Sequence, residues 1–106
     1  MTRGEIWTVS GGVYAAKPLP ALIIQDDLFG ATESIVVIPL TTTVADAPIA
    51  RVAMPTTTGI TQPSFAMIDK ITTVRRANLG TRIGCVPITL IAEIERSLMV
   101  FLGLAS

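Results

Sequence analysis

Among its 106 residues the chain has no histidine and one cysteine, Cys85. Imidazole acid–base chemistry is therefore excluded, a zinc site on soft or imidazole ligands is excluded with it, and one thiol cannot close an intrachain disulfide. Cys85 lies in the strand-like run Ile83-Gly84-Cys85-Val86, where a thiol is expected to act as a small buried apolar group. The charges that remain are segregated along the chain. Asp26, Asp27, Glu33 and Asp46 occupy a stretch without a base, and Lys70, Arg75, Arg76 and Arg82 occupy one without an acid. Gathered on one face, the second group would hold phosphates or an acidic peptide; scattered over loops, it would only be solvated. One apolar residue is also conspicuous. In Lys17-Pro18-Leu19-Pro20-Ala21-Leu22-Ile23-Ile24 a loop runs into a strand, and Leu19 sits between prolines at the strand mouth, a place suited to a phosphate-binding side chain.

Such groups need a scaffold, and the pattern predicts short strands. Residues 5–10, with Trp7 and Val9 two apart, read as a strand stopping at Gly11-Gly12, with a loop from there to about Pro18. Residues 21–24 and 35–38 are β-branched runs expected as central strands buried on both faces, joined by residues 26–34. Ala50, Val52 and Met54 alternate with Arg51 and Ala53, predicting a half-exposed strand before the turn Pro55-Thr56-Thr57-Thr58-Gly59. Residues 65–74 predict a long extended segment bent in its middle. Many short strands between Gly, Pro and Thr turns argue for a small antiparallel barrel. After Pro87 the period changes. Ile91, Ile94, Leu98 and Phe101 or Leu102 recur every three or four residues, predicting a helix that packs on the barrel and stops at Gly103, with Glu93, Arg96 and Ser97 off the stripe.

Length and composition bound the rest. The whole chain, 1–106, is expected to be one domain without a linker. It is 50% hydrophobic and 15% charged, which excludes a disordered chain and leaves apolar surface for self-association, so a homodimer is expected. Its longest apolar stretches run about six residues, against the roughly 20 that a membrane-spanning helix needs. Glu5 stands where a signal peptide needs its apolar region, so a cytoplasmic location is expected. Formal net charge is zero, which gives no bulk attraction to a polyanion.

Four blocks in order resemble the MazF/PemK (Kid) family of toxin endoribonucleases. They are Arg3-Gly4-Glu5-Ile6-Trp7, Pro20-Ala21-Leu22-Ile23-Ile24-Gln25, Pro39-Leu40-Thr41-Thr42, and Asp69-Lys70-Ile71-Thr72-Thr73-Val74 leading to Leu79-Gly80 and Ile83-Gly84. The hydrophobic ending at residues 98–104 resembles the family's last helix. This resemblance covers nearly the whole chain and implies a mainly β (α+β) fold, the SH3-like barrel with a C-terminal helix shared with the gyrase-poisoning CcdB toxins. It also implies metal-independent, cofactor-free, sequence-selective cutting of single-stranded RNA, in which a ribose 2′-hydroxyl attacks the adjacent phosphate and leaves a cyclic phosphate. The implied partner is the cognate antitoxin of a type II toxin–antitoxin system.

By that resemblance Leu19 stands at the family's catalytic arginine. Thr41, after Pro39-Leu40, is carried over as a hydroxyl donor to the phosphate. Asp69 is carried over as a base or orienter, although the arginine two positions before it in the family is Met67 here. Lys17, Arg75, Arg76 and Arg82 are candidates for the RNA path, with plain surface decoration as the alternative. Trp7 reads either as a stacking surface for a base or as core. An arginine fork supplies fixed charge and paired donors, and a leucine supplies neither, so turnover is expected to fall while fold and partner binding persist. The alternative function is a CcdB-like protein-binding toxin, or a module that captures an antitoxin without cutting.

Overall fold

β-Branched and alternating runs become seven strands and one long helix: β1 (Glu5–Gly11), β2 (Ala15–Ile23), β3 (Ser34–Thr41), β4 (Arg51–Met54), β5 (Ser64–Met67), β6 (Thr72–Arg75), β7 (Leu79–Cys85) and α1 (Ile88–Phe101). The computed structural model describes residues 1–11, 15–44 and 50–105, with the backbone alone at 15 and 16. Asp46 and Gly12 lie outside the described residues. All pairings are antiparallel, in the order β4-β5-β3-β2-β1-β7, and β6 also pairs with β3.

Strand β3 forks. Its first half pairs with β6 as far as Val37↔Thr72, and its end pairs with β5 from Leu40↔Ala66. Pro39 sits at the fork, opposite Ala21 of β2 but paired with neither β5 nor β6, so its missing N–H costs no ladder bond to those two strands. The layer β6-β3-β2-β1-β7 has its two outer strands joined by only the 3-10 turn Arg76–Asn78. In a flat sheet four spacings of about 4.8 Å would hold those edges about 19 Å apart. A three-residue 3-10 turn rises only about 6 Å. The layer must therefore curl until its edges approach, which is the SH3-like barrel.

The curl leaves β2 and β3 apolar on both faces, as their composition predicts. One face carries Val9, Ala21, Ile23, Ile35, Val37 and Val74. The other carries Ile6, Leu22, Ile38 and Leu40, covered by Met54, Ala66 and Ile68 and by Ile91 and Ile94 of α1. At Gly59 (φ 108°) the chain turns so close to Gly84 that a Cβ on either residue would strike the other segment's backbone, which fixes the 3-10 turn Thr56–Thr58 against β7.

Several expectations are corrected. The loop expected up to Pro18 is strand from Ala15 onward, because pairing with β1 (Gly11↔Ala15, Val9↔Leu19) overrides the prolines. Cys85 is exposed, not buried: among the described residues β7 is an edge strand paired only with β1, and an edge position lacks a covering layer. The helix stripe is buried at Ile91 and Ile94, but beyond Leu98 it outruns the sheet, leaving Met99, Val100, Phe101, Leu102 and Leu104 exposed. Residues 65–74 do bend in the middle, at the 3-10 turn Ile68–Lys70. Gly103, at φ 76°, ends the helix as expected. Among the described residues no helix is long and apolar enough to cross a membrane.

Candidate active site

The fork in β3 leaves a gap beside Pro39 that the turn Ile68–Lys70 does not fill. There a groove of about 360 Å³ opens, lined by Leu19, Pro39, Leu40, Met67, Lys70, Thr72 and Thr73. Leu19 reaches it because β2 runs past its last partner in β3. The register Ala21↔Pro39, continued two residues along both strands, sets Leu19 opposite Thr41. Leu19 is 44% exposed, although its class of side chain belongs in the core.

Thr41 in turn pairs with Phe65 of β5, so Leu19, Thr41 and Phe65 follow one another across the same face. The Thr41 hydroxyl accepts a hydrogen bond from the Thr43 N–H at 3.1 Å. That bond uses a lone pair, and among the described residues the O–H has no acceptor, so it can donate to an anion. Thr41 is not itself one of the residues lining the groove; it follows Leu40, which is, and the threonines of the groove wall are Thr72 and Thr73.

The remaining residues singled out from sequence are distributed differently. Asp69 is held by Arg51 through two contacts, Nε to Oδ1 at 3.0 Å and Nη2 to Oδ2 at 3.3 Å, and it does not line the groove. Arg75 lies 3.8 Å from Glu33. Arg82 pairs with Glu5 at 2.9 Å. Arg76 donates to the backbone carbonyls of Gly30 and Thr32, which ties β6 to the loop before β3. The charge segregation along the chain is thus undone in space, and none of these three arginines lines the groove. Lys17 is exposed on β2, two residues from Leu19 and on the same side of the strand.

Sequence reasoning noted Lys70 only as part of the cationic stretch. Its place in the groove follows from the bend at residues 68–70, which the pattern predicted without revealing what the bend would face. Trp7 is partly buried against the Val9, Ala21 and Ile23 cluster, and its indole N–H donates to Glu5 Oε1 at 3.2 Å.

Glu5 is the one group with a clear electrostatic shift among the described residues. Burial alone would raise its carboxyl. The Thr2 N–H, the Trp7 indole, the Arg82 guanidinium and the amino terminus together outweigh burial and hold it below the ordinary value of 4.5. Glu5 therefore stays ionised and fastens the chain start to β7.

Comparison with known proteins gives a consistent result. Residues 2–102 match the family described as PemK-like, MazF-like toxin of type II toxin–antitoxin system. A protein named "Probable endoribonuclease MazF" from Mycolicibacterium smegmatis is 47% identical over 108 aligned residues, covering 99% of each chain. "Endoribonuclease MazF6" from Mycobacterium tuberculosis is 34% identical and covers 92% of this chain and 93% of that one. A solved endoribonuclease in complex with its cognate antitoxin, from mycobacterial species, superposes with a TM-score of 0.85 at 27% identity, over 100% of this chain and 98% of that one.

Proposed function

Because the chain belongs to the PemK-like, MazF-like toxins of type II toxin–antitoxin systems, we propose that it is an endoribonuclease that cuts single-stranded RNA in the groove beside Leu19 and Thr41. In this reaction the O2′–P bond forms and the P–O5′ bond breaks, leaving a cyclic phosphate on one fragment and a hydroxyl on the other. The O2′ proton passes to water and O5′ takes one from water; among the described residues no carboxylate lines the groove.

The barrier is set by charge gathering on the non-bridging oxygens of the five-coordinate phosphorus, and fixed donors lower it. Thr41 supplies one such donor from its free O–H. A guanidinium at position 19 would supply two more and a full charge; Leu19 supplies none. Loss of one well-placed oxyanion donor costs about 10²- to 10³-fold in rate, so this chain is a slow enzyme with an intact fold.

The single observation that carries this reading is the exposure of a leucine at the groove mouth, on the register of Thr41. Leu19→Arg should raise cleavage of single-stranded RNA by about 10²- to 10³-fold. Equal inertness of the two proteins at matched folding would refute it. A cognate antitoxin is the second partner, and the exposed apolar end of α1, Met99 to Leu104, supports a homodimer. An RNA substrate supports a cytoplasmic site of action.

A further inference from the structure

We propose that Lys70 supplies the positive charge that Leu19 lacks, and is a catalytic residue of the residual reaction. The inference rests on the groove being the place where RNA is cut.

It starts from where the chain's bases are committed. Arg3, Arg51, Arg75 and Arg82 are in ion pairs, and Arg76 is bound to two backbone carbonyls. Among the described residues Lys17, Lys70, Arg76 and Arg96 have no ion-pair partner, and of these only Lys70 lines the groove with Leu19. An unpaired cation facing an arginine-less phosphate site is placed for that phosphate.

The backbone beneath it is fixed. Lys70 ends the 3-10 turn Ile68–Lys70, whose Ile68 is fully buried and donates its N–H to the Ala50 carbonyl at 2.8 Å. The Ile71 N–H closes the turn onto the Ile68 carbonyl at 3.2 Å. The ammonium thus swings on a flexible stem from a rigid base. Its surroundings strengthen its field: Leu19, Pro39 and Met67 are apolar and displace water, so attraction to a phosphate oxygen is stronger than in open solvent. Lys17, by contrast, is not part of the groove lining.

Lys70 contacts one non-bridging oxygen as charge builds there. It meets that oxygen as a point charge, not as a planar fork, so it replaces only part of an arginine's effect.

The test is single-turnover cleavage of a long single-stranded RNA transcript by five proteins: the parent, Lys70→Met, Lys70→Arg, Leu19→Arg and Lys70→Met/Leu19→Arg. Lys70→Met should slow the parent about 10- to 100-fold and Lys70→Arg should restore most of that rate. In the Leu19→Arg background the same Lys70→Met change should cost less than about 5-fold, because the arginine now carries the charge. A merely structural role would cost the same in both backgrounds and would not be rescued by arginine. Equal losses, or a parent no faster than Lys70→Met while Leu19→Arg cuts, would overturn the role of Lys70 and leave the ribonuclease reading standing. If Leu19→Arg is itself inert, the ribonuclease reading falls and Lys70 falls with it.

Discussion

Leu19 of β2 and Lys70 of the turn Ile68–Lys70 line one groove, at the gap where β3 changes partner. The gap exists because pairing with β6 ends at Val37 and pairing with β5 begins only at Leu40, leaving Ile38 and Pro39 between them. A site of this kind needs little more than a strand end, a turn and a hydroxyl, and small changes of side chain reset its rate without touching the barrel.

Thr41 is expected to matter for chemistry and hardly at all for folding. In the Leu19→Arg background, Thr41→Val keeps a β-branched side chain and removes the hydroxyl, and should slow RNA cleavage about 10²-fold. Thermal melting should move by no more than a few degrees. A rate within about 3-fold of the Leu19→Arg protein would remove Thr41 from the site.

Asp69 is expected to be a strut. Its two contacts to Arg51 place it in a partly exposed pair, so Asp69→Asn should cost about 0.2–1 kcal/mol in denaturant unfolding. Cleavage by Leu19→Arg/Asp69→Asn should match Leu19→Arg within about 5-fold. A general base would instead cost about 10²- to 10⁴-fold, with loss of the acidic limb of the pH–rate profile.

Glu5 makes stability depend on pH in one direction. Its carboxyl is held below the usual glutamate value in the folded chain, so it favours folding while it is ionised in both states. That contribution is full above the unfolded glutamate value and is lost as the pH falls through the lowered folded one. Urea midpoints should therefore decline on acidification below about pH 4.5, and Glu5→Gln should flatten that decline.

Helix α1 should show an energetic divide along its length. Ile94 is fully buried, and Ile94→Ala should cost about 2–5 kcal/mol in chemical denaturation. Leu104 is 71% exposed, and Leu104→Ala should change the monomer's stability by less than about 0.5 kcal/mol. A comparable loss at the two positions would mean that the end of α1 is covered in solution.

Much of this was legible in the residues, and the parts that were not share a cause. Alternation at residues 50–54 and the β-branched runs at 21–24 and 35–38 gave strands because burial there depends on a local period. The three- and four-residue spacing around Ile91 and Ile94 gave the helix in the same way. What escaped depended on a partner far along the chain. Strand β2 begins at Ala15 only because β1 lies beside it, and Cys85 is exposed only because, among the described residues, nothing pairs on its outer edge. Of the candidate site, the prolines around Leu19 marked only a strand mouth, and the roles of Leu19, Thr41 and Asp69 all came through family resemblance. Neither route could show that Arg51 holds Asp69, or that Lys70 turns into the groove.

The most direct measurement is the cleavage rate of single-stranded RNA by the parent and by Leu19→Arg, at equal folded fraction, with the fragment ends identified by mass spectrometry. A rise of about 10²- to 10³-fold with cyclic phosphate ends is the predicted result. Unchanged rates, or fragments lacking that end, would contradict a ribonuclease site at Leu19.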